Sequence, residues 1–216
     1  MTRRSTWRSS ASAIRRDGSA KAPPFQTDAP VTPAHRDALA AMRRLGVTLV
    51  EVEFPDLPYS ALLRNADVEA AAIFEELTLS GQDARLIPPW GDKWKQVRFL
   101  SAVDYLQIER FRRQVMEVMD AMFERVDVIF SPTYATFQLV MIANFTGHPG
   151  LTLRCGFAEM GTRNLGWTPA DPATPRRRVT CNVAMHGRLF EEGRLIALGR
   201  ALETELDVWR ERPPVG

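Results

Sequence analysis

Residues 144–156 read Asn144-Phe145-Thr146-Gly147-His148-Pro149-Gly150-Leu151-Thr152-Leu153-Arg154-Cys155-Gly156. This is a turn that feeds a short strand over Leu151–Arg154. Gly147 can take a positive φ without a steric penalty, and Pro149 stiffens the next step. Asn144 and Thr146 carry short polar side chains that bond nearby backbone and hold such a turn. Their role is structural rather than catalytic. His148, a lone histidine inside a turn, reads as a packing or solvent-facing residue rather than a general base.

Working outward, Val126-Asp127-Val128-Ile129-Phe130 upstream is a strand that Ser131-Pro132 stops, with Thr133 just beyond. Downstream, Arg178–Met185 is a further strand, and Gly161–Arg177, rich in Gly, Pro, Thr and Arg, is a surface loop between the two. The run Met185-His186-Gly187-Arg188-Leu189-Phe190-Glu191-Glu192 leads into a closing helix from Phe190 to about Glu211, with Leu195, Leu198, Leu202 and Leu206 along one stripe.

Nearer the start, Thr32-Pro33 opens a helix: threonine at the N-cap and proline at the first helical position, where its missing N–H is not needed. Leu39, Met42 and Leu45 follow at helical spacing, Gly46 occupies the C-cap region, and Val47–Val52 is a strand ended by Pro55 and Pro58. Residues 59–80 read as one helix, and residues 81–99, centred on Pro88-Pro89-Trp90-Gly91, as irregular chain with Trp90 and Trp94 as anchors. Ser101-Ala102-Val103-Asp104 caps the longest helix, which runs to about Arg125. Met116, Met119 and Met122 read as gap-filling core, and Arg110, Arg112 and Arg113 as a solvated face paired to Glu109 and Glu117. Helix, glycine and strand in succession are the unit of an α/β fold.

Composition narrows the function classes. The chain has 216 residues, 45% hydrophobic and 25% charged, and fits one or at most two globular domains. A net charge of +2 is too small to argue for a nucleic-acid partner. There is no apolar run near the roughly 18 residues that a membrane span needs. Cys155 and Cys181 are two small buried hydrophobes rather than a disulfide framework, and no His, Asp, Glu or Cys spacing suggests a metal. No phosphate-binding glycine loop and no Gly-x-Ser-x-Gly elbow occurs, so no cofactor is expected. Arg3, Arg4, Arg8, Arg15, Arg16 and Lys21 face a single acid, Asp17, in the first 22 residues. The Arg3-Arg4 pair lacks the apolar stretch of an export signal, so residues 1–31 read as a loop-like or disordered segment and residues 32–216 as one domain, in a cytoplasmic protein.

The three segments quoted, in this order, resemble the C-terminal half of the amidase signature family. Asp127, Pro132 and Thr133 resemble its strand end; Asn144, Thr146, Gly147 and Pro149 its Asn-x-Thr-Gly-x-Pro turn; Gly156 the glycine closing the next strand; Gly187, Phe190 and Glu192, with Arg188, its sheet-to-helix junction. The resemblance runs from about Pro33 to Arg212 and departs at Arg154, where family members commonly have proline. It implies an α/β fold, the C-terminal part of the amidase signature fold, with a mixed β-sheet flanked by helices.

The same resemblance implies hydrolysis of carbon–nitrogen amide bonds by a serine, a bridging serine and a lysine. The lysine and the Gly/Ser-rich run that carry this chemistry are not among these residues, so no catalytic residue is assigned and the chain alone is expected to be inactive. Ser9-Ser10-Ala11-Ser12 has no flanking glycines or preceding lysine, and Lys93 and Lys95 lie in a Pro/Trp segment. The implied partner is a small-molecule amide, once an N-terminal half completes the site. Two other readings stand beside this one: a protein like the amidase-type component of a tRNA-dependent amidotransferase, and a non-catalytic interaction protein displaying the Leu195–Leu206 stripe. A partial sheet leaves an unpaired edge, so self-association is expected.

Overall fold

The computed structural model describes residues 4–7, 32–50, 52, 54–133, 137–161 and 175–212. These divide into two compact units, one from the described residues up to Phe54 and from Asp120 onward, the other over Pro55–Met119. The sequence alone marks a single domain over 32–216; the division comes from where the contacts concentrate.

The first unit is a five-stranded mixed sheet. Its strands are β1 (Arg4–Trp7), β2 (Leu49–Val50), β3 (Val126–Pro132), β4 (Gly150–Gly161) and β5 (Arg176–Gly187), in the order β2-β1-β3-β5-β4. β1 pairs in parallel with β2 and β3, and β5 pairs antiparallel with β3 and β4. Helix α1 (Pro33–Arg44) precedes β2, and α7 (Glu192–Leu206) closes the chain.

Strand alternation sorts the side chains of β5 onto two faces. Cys181, Val183 and Met185 join Val128 and Phe130 of β3 and Cys155 of β4 in a core closed by Ala34, Ala38, Leu39, Ala41 and Met42 of α1 and by Leu195 and Leu202 of α7. The opposite face carries Ile129, Ala184 and His186, which are buried as well.

Thr32 is extended at the N-cap of α1, Pro33 opens the helix, and His35 reaches back to accept the Thr32 backbone N–H at Nδ1 (3.1 Å). That acceptor role fixes the tautomer, so Nε2–H donates to the Asn182 carbonyl of β5 (3.3 Å). The Thr32 hydroxyl donates to Cys181 Sγ (3.4 Å). The cap of α1 is thereby stitched to β5. Between Arg154 and Gly156 the β4–β5 register shifts by a bulge. Gly156 has φ +155°, and a Cβ placed there would lie 2.6 Å from the Ala34 methyl, so α1 rests directly on bare backbone.

Several sequence expectations change here. Arg4–Trp7 is a strand, where 1–31 reads as loop: its strand character lies in backbone pairing to β2 and β3, which composition does not reveal. Residues 8–31 lie outside the described residues, as do 162–174 of the expected 161–177 loop, whose ends Gly161, Arg176 and Arg177 belong to strands. The strand over Val47–Val52 contracts to Leu49–Val50 among the described residues. A helix not anticipated at all, α6 (Phe137–Thr146), links β3 to β4. The closing helix begins at Glu192 rather than Phe190 and ends at Leu206, with Asp207 left-handed at its cap.

The second unit is helical. A 3-10 turn (Tyr59–Leu62) leads into α2 (Leu63–Ile73), and α3 (Glu75–Leu79) follows after a break at Phe74, so the single helix expected over 59–80 is three pieces. The stretch expected to be irregular holds a 3-10 turn (Gln82–Arg85) and α4 (Trp90–Val97). Trp94 is buried and stacks on Phe74 with ring centroids 4.6 Å apart, the anchoring role expected of it. Ser101 caps α5 (Ala102–Arg125), its Oγ accepting the Asp104 N–H at 3.0 Å. Met119 and Met122 are core, but Met116 is 39% exposed and fills no gap. Arg112 and Arg113 pair with Glu109 and Glu117, each at 3.3 Å.

Replacing Gly156 by alanine tests the α1–β4 contact. A methyl has no rotamer by which to escape another methyl, so Gly156→Ala is expected to lower stability by about 2–3 kcal/mol. Urea unfolding measures this, and an unchanged midpoint would show that α1 does not rest on Gly156.

Candidate functional site

The motif residues fall at three places in the first unit. The largest group gathers where β3 begins, β5 ends and β4 begins. Gly187, the last residue of β5, stands opposite Val128, and its N–H donates to the Pro149 carbonyl (3.1 Å). Gly147, at φ +79°, turns the chain out of α6 and faces Leu189 Cδ2. Asp127 meets Arg194 of α7 at 3.4 Å, and Arg194 also pairs with Glu191 at 3.2 Å. Glu192 is the first residue of α7. Pro132 and Thr133 sit at the far end of β3, where the Thr133 N–H donates to the Asn182 carbonyl (2.9 Å) and its buried hydroxyl has no partner among the described residues. Gly156 is apart from both groups, beneath α1.

Within the first group, Asn144 and Thr146 belong to the last turn of α6, and the turn proper begins at Gly147. Asn144 is exposed. Thr146 is buried, and its hydroxyl donates to the Ile142 carbonyl (2.8 Å) while lying 2.7 Å from His148 Nδ1. His148 is packed, its ring stacked on Phe123 with centroids 5.0 Å apart. These contacts are those of a helix terminus tied down, and they offer no nucleophile.

Phe190 departs from expectation. It has φ +64° yet its side chain is 91% exposed. A bulky residue in the left-handed region is strained by roughly 1–2 kcal/mol, and nothing about an exposed ring offsets that.

The ionisable groups are equally telling. Burial pushes the Cys155 thiol up to about 12, and the neighbouring Cys181 pushes it the same way. Cys155 Sγ contacts the Cys181 carbonyl at 3.3 Å. A thiol held protonated in the core is not a nucleophile. Cys181 and His186 lie on opposite faces of β5, so a Cys181–His186 pair is excluded by strand parity. Lys93 is 2.7 Å from the buried Asp67, and Lys95 is bonded to the buried Asp83. The hydrogen bond that Lys95 donates to Asp83 raises the Lys95 pKa, which favours the charged amine. Lys21 and Ser9-Ser10-Ala11-Ser12 lie outside the described residues. Among the described residues no cluster of His, Cys, Asp and Glu could hold a metal ion. No helix there is long and apolar enough to cross a membrane.

Two features were not foreseen. His186 is buried on β5 with neither ring nitrogen bonded, and burial lowers its pKa to about 4, with nearby His148 adding to the shift. Its even position among buried odd ones marks it for the second sheet face, but only the fold shows that this face is closed. Arg154, the departure from the motif, donates to the carbonyls of Val208 (2.6 Å) and Glu211 (3.0 Å) and so holds the segment after α7.

Comparison with known proteins places these features in context. The family model described as Amidase matches residues 16–146. An amidase of Pseudomonas putida is 26% identical over 220 residues, covering 88% of this chain and 42% of that protein. A glutamyl-tRNA(Gln) amidotransferase component from Myxococcus xanthus is 25% identical over 231 residues, covering 87% of this chain and 44% of that protein. Among solved structures, a bacterial aryl acylamidase belonging to the amidase signature enzymes aligns over 98% of this chain and 46% of its own, with TM-score 0.62 and 14% identity. A 6-aminohexanoate cyclic dimer hydrolase aligns over the same shares with TM-score 0.64 and 15% identity. The chain thus spans less than half the length of these relatives.

The strain at Phe190 is directly testable. Phe190→Gly removes an exposed ring and a disfavoured φ together, so it is expected to stabilise the first unit by about 1 kcal/mol, or at worst leave it unchanged. Thermal melting reads this, and a clear drop in Tm would mean that the ring makes a contact this structure lacks.

Proposed function

The chain belongs to the Amidase family, and from that membership we propose that it forms the C-terminal portion of an amide-bond hydrolase whose nucleophile is supplied by polypeptide outside these 216 residues. The observation that carries this reading is a pairing of likeness and lack. The stretches that resemble the family lie at the end of β3, between α6 and β4, and between β5 and α7. Yet both described lysines are committed to buried carboxylates.

An amide is a weak electrophile. Cleaving it needs an activated nucleophile, a proton for the departing amine and a site for the oxyanion. The five-stranded sheet, α1 and α7 form a scaffold, one wall against which an acyl group is held, and the partner polypeptide brings the Ser-Ser-Lys relay. The substrate is a small-molecule amide.

A second reading has one specific observation behind it. The likeness to the glutamyl-tRNA(Gln) amidotransferase component extends over 87% of this chain, nearly as far as the likeness to the amidase. In that case the completed protein works beside further polypeptides. The third reading, an interaction protein, cannot use the Leu195–Leu206 stripe as its surface: Leu195 and Leu202 are core residues, and Leu198 and Leu206 pack against that core.

The purified 216-residue chain, incubated with an aryl amide such as 4-nitroacetanilide, is expected to release no amine above the buffer rate. Turnover that a serine-directed sulfonyl fluoride abolishes would contradict the proposal, because the chain would then hold its own nucleophile.

A further inference from the structure

The proposed amide hydrolysis makes no use of the histidines, yet all three of them, His35, His148 and His186, belong to the first unit. His186 is the anomaly. It is 6% exposed, and neither Nδ1 nor Nε2 has a hydrogen-bond partner among the described residues. It stands in β5 opposite Ile129 of β3 and Gly150 of β4. A Cβ at residue 150 would lie 3.0 Å from its Nδ1, so the imidazole occupies the space a side chain there would need. A buried polar ring with no partner is destabilising compared with an aliphatic one of its size.

His148, in the corner that leads into β4, ties three elements together. Its N–H donates to the Ala143 carbonyl of α6 (3.0 Å), and its ring stacks on Phe123 of α5. The single Thr146 hydroxyl proton goes to Ile142, so the His148 Nδ1–H donates to Thr146 Oγ1. The next residue, Pro149, accepts the Gly187 N–H and fastens the corner to the end of β5.

The charges facing this pair are few. His148 is the titratable neighbour of His186, and Asp120 of α5 faces His148. The register neighbours of His186, Ile129 and Gly150, carry no charge. Among the described residues the charged group that acts on His186 is His148, and a proton there repels one on His186.

We propose that His148 and His186 form an acid-operated latch, in which proton uptake at His186 detaches the Thr146–Gly150 corner from β5. The linkage runs in one direction. Burial first, and then the facing histidine, hold the folded His186 pKa down to about 4, below the ordinary 6.5. The His148 pKa is lowered too, by burial, with Asp120 opposing. The His186 contribution to stability is thus fully present above the unfolded-state pKa and is lost as pH falls toward about 4, and the lowered His148 pKa acts in the same direction.

The three imidazoles can be followed individually by NMR on the full chain. His186 is expected to titrate at about 4. The nuclear Overhauser contact between the His148 and Phe123 rings should vanish in the same pH window. His186→Leu should keep that contact at acid pH, while His35→Asn, on the other sheet face, should leave the wild-type behaviour intact. The latch is overturned if His186 titrates near 6.5, if the ring contact survives His186 protonation, or if His186→Leu loses it at the wild-type pH. Should the leucine variant not fold, the wild-type titration and ring contact decide alone.

Discussion

The pairing of β5 with β3 on one side and β4 on the other carries the first unit. Through it the backbone groups of Val183–His186 are bonded toward both neighbours, and the two faces of one strand become the floors of two buried layers. One layer is apolar, closed by α1 and α7. The other contains the unpartnered His186. α1 is held to β5 by Thr32 and His35, the α6–β4 corner by Gly187, and the chain after α7 by Arg154 of β4, so each attachment presupposes that β4 and β5 are already paired. The bulge before Gly156 lets α1 approach closely enough for these bonds to form.

This dependence bears on what the chain can do. The residues resembling the amidase motif are mostly main-chain organisers: a glycine that turns, a proline that accepts one N–H, a threonine that closes a helix. Such residues position a site without performing its chemistry. The second unit holds its lysines against Asp67 and Asp83, where burial of the carboxylates makes loss of either partner expensive. Both amines are thereby engaged in ion pairs. Under the proposed reading, the family chemistry lies with groups beyond these residues, and the chain contributes scaffold and wall.

Much of this was legible in the sequence, for identifiable reasons. Thr32-Pro33, Ser101-Asp104 and the β3 segment announce themselves by local chemistry, and the structure keeps all three, although β3 runs through Ser131-Pro132, paired to Ala184 and Val183, instead of stopping before them. Helix α6 was invisible because Leu139, Met141, Ile142 and Ala143 leave no polar face, so no helical stripe appears. Helix α4 hid behind Pro88-Pro89, which reads as a breaker yet here only precedes the helix. The break at Phe74 and the strand at Arg4–Trp7 follow from tertiary packing and backbone pairing, which local pattern does not encode. At the candidate site, the turn glycine Gly147 was readable from its neighbours, and its positive φ is found. The left-handed Phe190 was not, because no residue preference points an aromatic there. Nor was the solitary state of His186, since being buried and being unbonded look alike in a sequence.

Native-state amide hydrogen exchange on the full chain tests the central role of β5 most directly. If β5 is the strand to which the rest is fastened, the amides of Val183–His186 exchange slowest in the first unit, and those of α1 and α7 exchange no more slowly. Exchange of these strand amides at the rate of unstructured peptide, or ahead of the α7 amides, would contradict the account.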